Sequence, residues 1–113
     1  MSTHAVLGVK FPGGKISGCY VHYDGGTMRP RIENYLMTKT TTCLSILIAE
    51  AQVTGGMRSF HSPGLDEGDP ETDFLDDNQS YTIDETDFYD RHIGAHYWYL
   101  VDYDTGEIQK RSN

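Results

Sequence analysis

No stretch of the sequence approaches the roughly 20 consecutive apolar residues of a membrane span, so no membrane partner is expected. The opening MSTHAVLGVKFPGG also lacks the basic flank and long apolar run of a signal peptide, which points to a cytoplasmic location. Cysteine is scarce. Cys19 and Cys43 are the only two, they sit in apolar surroundings, and they show no CxxC spacing, so buried free thiols are expected in place of a disulfide or a metal pair. Neither has a histidine beside it in sequence, and there is no glycine-rich phosphate loop and no GxSxG elbow. Nothing here marks a catalytic centre, and neither an enzyme nor a cofactor is expected.

Basic residues are missing from one place in particular. Between Asp66 and Asp90 there are eleven acidic residues and no lysine or arginine, whereas the rest of the chain carries six acids against nine bases. The net charge of −8 is therefore a local property. The remaining composition is that of a folded chain: 113 residues, 37% hydrophobic and 12% aromatic, suit a single domain with one core. That domain spans residues 1–113, with an acidic loop at about residues 62–90.

Residues Ala5 to Phe11 read as a strand, Pro12 to Lys15 as a turn, and Ile16 to Tyr23 as a second strand, because β-branched and aromatic residues flank a glycine-rich break. After Asp24-Gly25-Gly26, Thr27 is placed to cap a helix beginning near Met28, with Pro30 in its first turn and Ile32, Tyr35 and Leu36 on one face. The run Thr40-Thr41-Thr42 offers a second cap, and Leu44, Leu47, Ile48 and Ala51 give a helix from about Thr41 to Val53. Met57 to Gln79 reads as a loop, since Pro63-Gly64, Gly68 and Pro70 break any periodicity. A short strand is expected at Tyr81-Thr82-Ile83. His96 to Tyr103 alternates as a strand, with Tyr97, Tyr99 and Val101 on one face and Trp98, Leu100 and Asp102 on the other. A turn at Asp104 to Glu107 then leads into Ile108 to Arg111. The expected fold is α+β: an antiparallel sheet of three to five strands, built from N- and C-terminal β-hairpins, with two helices packed on one face.

Two metal patterns can be weighed. His61, His92 and His96 invite a histidine site, but Gly94 interrupts the only pair at helical spacing and no HExxH pattern is present. Asp69, Glu71 and Asp73 alternate like a calcium loop, yet the sixth and twelfth positions hold Phe74 and Ser80 where glycine and glutamate are required. No metal is expected from either.

The most distinctive short element is His22-Tyr23-Asp24-Gly25 at the end of the second strand. Its simplest role is a strand-to-helix turn. A sharper one has His22, Asp24, Arg29 and Arg31 converging at the helix start, where exposed N–H groups can hold an anion such as a phosphate. This strand, HYDG and helix segment, over roughly residues 5–55, resembles a group of short proteins carried by bacteriophages and mobile elements. The sequence departs from that pattern at Gly26-Thr27, where an aromatic residue and a proline are expected. The resemblance implies a phage accessory protein that interferes with host machinery, and it implies no mechanism.

The acidic segment supplies a mechanism. Phe74, Tyr81, Phe88 and Tyr89 alternate with carboxylates, as suits a surface that docks on a basic groove built for nucleic acid. The contact residues expected are Asp66, Glu67, Asp69, Glu71, Asp73, Phe74, Asp76, Asp77, Asp84, Glu85, Asp87 and Phe88. The expected partner is a host protein with a basic nucleic-acid-binding surface, such as a CRISPR effector. Direct binding of nucleic acid is disfavoured by repulsion, since Lys10, Lys15, Arg29 and Arg31 are few and scattered. The alternative is an anti-defence sponge that sequesters a nucleotide immune signal on His22, Arg29 and Arg31, with stacking from Tyr97 or Trp98; self-association into a homo-oligomer is compatible with either.

Overall fold

The computed structural model describes residues 3–23, 25–60, 73–90 and 93–112. Ala5–Lys10 (β1) and Ile16–Val21 (β2) form the N-terminal hairpin, paired from Ala5↔Val21 to Lys10↔Ile16. Helix α1 runs from Met28 to Thr38 and α2 from Thr41 to Val53. Short strands follow at Met57–Ser59 (β3), Asp73–Phe74 (β4) and Ile83–Asp84 (β5), and Tyr97–Asp102 (β6) with Ile108–Ser112 (β7) makes the closing hairpin. The fold is α+β, as expected from the pattern.

Local chemistry explains the helix starts. The Thr40 side chain accepts a hydrogen bond from the Cys43 N–H at 3.1 Å, satisfying one of the donors left open at the first turn of α2. Thr27 occupies the cap position of α1 but makes no side-chain cap bond there. Instead the segment before α1 is tied to the sheet: the Gly25 N–H donates to the Thr3 carbonyl at 2.8 Å, and the buried Tyr99 hydroxyl donates to the Gly25 carbonyl.

The sheet order is β4-β3-β2-β1-β6-β7, with β5 also on β2. It is mixed, which corrects the antiparallel expectation. β1 and β6 run parallel in register Ala5↔Tyr97 to Lys10↔Asp102, and β3 lies parallel to β2 at Val21↔Met57. Two hairpins can be joined edge to edge in either sense, and nothing in their alternating patterns selects one. A second correction concerns Met57 to Gln79, which contains β3 and β4 paired with one another, with Met57 buried and Phe74 packed on the core. The strand expected at Tyr81-Thr82-Ile83 lies slightly later, at β5.

Both faces of the sheet are covered, so β1 is buried along Ala5 to Val9. On one face Ala5, Leu7, Val9, Cys19, Val21, Tyr99 and Val101 meet Met28, Ile32 and Tyr35 of α1 and Leu44, Ile48 and Ala51 of α2. The two helices thus share one face, as expected. On the other, Val6, Trp98 and Leu100 are covered by Ile83, Phe88 and Ala95. The predicted alternation of β6 is reproduced, and each buried Leu, Ile or Phe contributes about 1.5–3 kcal/mol.

Phe88 reaches the sheet because two glycines clear its seat. Gly8 and Gly18 are register partners, and a Cβ on Gly8 would lie 2.5 Å from the Phe88 ring, one on Gly18 3.3 Å. The ring occupies the space that two side chains would otherwise fill.

Candidate functional site

The described part of the acidic segment begins at Asp73, whose carboxylate pairs with Arg58 at 3.3 Å on the surface. Asp76 and Asp77 follow on an exposed loop that is stitched to the end of α2. Leu75 N–H donates to the Gly56 carbonyl, Asp77 N–H to Thr54 and Tyr81 N–H to Gln52, at 3.0, 3.2 and 2.8 Å. The backbone that carries these charges is therefore held at three points.

A second acidic group, Asp84, Glu85, Asp87 and Asp90, surrounds the turn that lowers Phe88 onto the sheet. Asp84 Oδ1 accepts from the Thr86 hydroxyl at 2.6 Å and from its N–H at 2.9 Å, and the Asp84 N–H donates to Asp87 Oδ1 at 2.8 Å. The hydroxyl bond from Thr86 is the main reason the Asp84 carboxyl is held below its ordinary range. Glu85 accepts from the Ile16 N–H at 3.3 Å, fixing the turn to the start of β2. Asp84, Glu85 and Asp90 are exposed and Asp87 half-buried, so the charges remain at the surface while the turn itself is ordered.

The expected aromatic anchors divide. Phe88 is 1% exposed, so it belongs to the core and offers no ring to a partner; this corrects its assignment as a contact residue. Phe74 is half-buried against the helical core. Tyr81 and Tyr89, at 40% and 39% exposure, are the described aromatics of the segment that face solvent, and Arg111 lies over the Tyr89 ring at 4.6 Å. Asp66, Glu67, Asp69 and Glu71 lie outside the described residues, as do Asp24, His61 and His92.

Of the residues expected to form an anion site at the start of α1, Asp24 lies outside the described residues and the others have partners of their own. Arg29 pairs with Glu33 at 3.5 Å, and Arg31 Nη1 donates to the Phe60 carbonyl at 3.1 Å. His22 is gathered into a different group, with His4, Tyr20 and His96. Tyr20 Oη lies 2.6 Å from His4 Nδ1 and 2.9 Å from His22 Nδ1, while the His4 ring is 4.6 Å from that of His22 and 5.9 Å from that of His96. A phenol has one proton to give, so at least one of these imidazoles donates from Nδ1. Burial, followed by the charges of His22 and His96, pushes the His4 pKa down, and burial pushes that of Tyr20 up. Among the described residues no group of three or more His, Cys, Asp or Glu is arranged to hold a metal ion.

The parallel β1 and β6 pairing makes this group, because His4 and His96 each precede the strand residues paired as Ala5↔Tyr97. The Tyr20 and His22 spacing of two was legible on one strand face; the approach of His4 and His96 was not. Nor was a cavity of about 310 Å³ between Tyr20, Gly55, Leu75, Asp77, Gln79 and Tyr81, which joins β2 to the acidic loop.

Trp98, offered for stacking, is 4% exposed and faces the Phe88 side of the sheet, which corrects that expectation. Tyr97 is half-buried under Lys110, whose Nζ sits 4.9 Å from the ring centre. Of the cysteines, Cys19 is buried and Cys43 is exposed, so the expectation of two buried thiols holds for the first only. No helix among the described residues is long and apolar enough to cross a membrane. No protein-family model, curated protein or solved structure matches the chain.

Proposed function

We propose that the chain is an inhibitor that docks on a basic, nucleic-acid-binding surface of another protein through its acidic segment. The single observation that carries this is the placement of Asp76, Asp77, Asp84, Glu85 and Asp90 as exposed charges on turns fixed by hydrogen bonds. Carboxylates carried on a fixed backbone can copy the spacing of backbone phosphates while only their side chains lose freedom on binding, and they accelerate encounter with a basic groove. Within this proposal the narrower identity is a phage-encoded anti-defence protein acting in the host cytoplasm, for example against a CRISPR effector, with Asp66, Glu67, Asp69 and Glu71, which lie outside the described residues, as further contacts.

The nucleotide-sponge alternative finds less support. Of its two stacking candidates Trp98 is buried and Tyr97 is half-buried under Lys110, and Arg29 is paired with Glu33.

The test uses purified CRISPR effectors, target DNA and this protein. The protein and DNA are expected to compete for the effector, and raising the salt from about 0.05 to 0.5 M should weaken capture at least tenfold, because the attraction is screened. The triple variant Asp76→Asn, Glu85→Gln and Asp87→Asn leaves each side chain one carbonyl oxygen, enough for the bonds that Glu85 and Asp87 accept from Ile16 and Asp84, and removes three charges. It should slow association more than it speeds dissociation. Capture that is indifferent to both salt and these substitutions would remove the basis of the proposal.

A further inference from the structure

The cavity beside the acidic loop has features that the docking surface as a whole does not explain. Its volume of about 310 Å³ is at the small end of the range for ligand sites, about 300–1,000 Å³, and suits one side chain better than a whole nucleotide. Its walls carry the Tyr20 ring on β2, Tyr81 and the Asp77 carboxylate on the loop, the polar Gln79 and Ser80, and the apolar Leu75 and Ile93.

The walls are fixed before any ligand arrives. Tyr20 is held through its hydroxyl by His4 and His22, and the loop by the bonds from Leu75, Asp77 and Tyr81 to the Gln52–Gly56 turn. Gly55 adopts φ +95°, and a Cβ there would come within 2.9 Å of the Asp77 Cβ, so glycine lets the Asp77 side chain lie against the turn. The described ion pairs, Arg29–Glu33 and Arg58–Asp73, leave the Asp77 carboxylate out. Burial and then the charges of Asp87 and Asp90 push the Tyr81 phenol upward, so negative potential converges on this edge of the cavity.

We propose that this cavity receives an arginine side chain of the basic partner. A guanidinium is flat, keeps its charge, stacks on an aromatic ring and can present two parallel N–H groups to one carboxylate. Asp77 supplies the carboxylate, Tyr81 the exposed ring, and Leu75 a surface for the alkyl stem. Lysine matches the charge alone, and an anion meets Asp77 with repulsion. The assignment rests on the docking proposal and names the residue type that its partner inserts.

The probes are three capped tripeptides, Gly-Arg-Gly, Gly-Lys-Gly and Gly-citrulline-Gly, titrated into the whole protein while the ring resonances of Tyr20 and Tyr81 are followed by NMR. The arginine peptide should move both rings, the lysine peptide less, and the uncharged citrulline peptide at least tenfold more weakly. Asp77→Asn and, separately, Tyr81→Leu should each weaken the arginine peptide several-fold while the protein's amide spectrum stays folded. Equal responses to arginine and citrulline, or arginine-induced shifts confined to residues outside this cavity, would overturn the assignment. The two proposals fail differently. If Asp76→Asn, Glu85→Gln and Asp87→Asn weaken capture of the effector and Asp77→Asn with Tyr81→Leu does not, the socket is wrong and the docking surface stands; if none of the five matters, the docking surface falls as well.

Discussion

On one side of the sheet the covering layer is two helices, and on the other it is a turn with hardly any regular structure. The helices bring Met28, Ile32, Tyr35, Leu44, Ile48 and Ala51 inward at helical spacing, with Arg29, Arg31, Glu33, Lys39 and Glu50 leaving their charge nearly balanced. The turn brings Ile83 and Phe88 inward, and Asp84, Glu85, Asp87 and Asp90 come with them. A helix buries a stripe and leaves its opposite face to be filled independently. In a tight turn each buried residue has charged neighbours within one or two positions, so anchoring the turn also anchors the charge. The second layer is thus both part of the core and the proposed contact surface.

The sharpest way to break this comparison is to remove the anchor. Phe88→Ala should cost about 3–5 kcal/mol by loss of a buried ring, read by urea unfolding, and should cost more than the exposed Tyr89→Ala. A destabilisation below about 1 kcal/mol would mean that the turn is not part of the core. Gly8→Ala attacks the same contact from below. Its methyl group would fall 2.5 Å from the Phe88 ring, and a loss of about 1–3 kcal/mol is expected as the ring is displaced. Phe88→Leu in the Gly8→Ala background should recover part of it; no recovery would place the strain elsewhere.

Acid should act at the histidine cluster. The folded His4 pKa is lowered, so below the ordinary imidazole value of about 6.5 the unfolded chain binds the proton more readily. The stability this contributes is present above that value and lost as pH falls through it. Melting temperature should therefore decline from pH 7 towards pH 5, and His4→Gln should flatten that decline; an unchanged slope in the variant would assign it to other groups. The smallest effect concerns the thiols. Cys43 is exposed and its pKa is lowered chiefly by the Thr40 hydroxyl, 3.3 Å from Sγ, whereas burial pushes that of Cys19 far up. Iodoacetamide should modify Cys43 alone in the native protein, with Cys19 following only on unfolding; modification of Cys19 under native conditions would contradict its burial.

Much of the fold was legible because its signals are local. The Thr40 cap and the spacing of Leu44, Ile48 and Ala51 set α2, and strict alternation set the two faces of β6. The concentration of negative charge was equally plain in the sequence. What escaped were contacts between distant segments. Phe88 in isolation is an aromatic among carboxylates, and only the opposed Gly8 and Gly18 turn it into a core residue. Cys43 looks apolar in context, yet α2 turns it outward.

The amino-acid order by itself determined the helices, the two hairpins and the place where charge accumulates, since each depends on side chains within a turn or two of one another. Tertiary structure alone decided that β1 and β6 lie parallel, that His4 and His96 thereby approach Tyr20 and His22, and that the acidic loop closes a cavity against β2. Hairpins with similar edges can pair in either sense, and the choice is made by how the whole chain packs its two layers, a quantity that no short window of sequence contains.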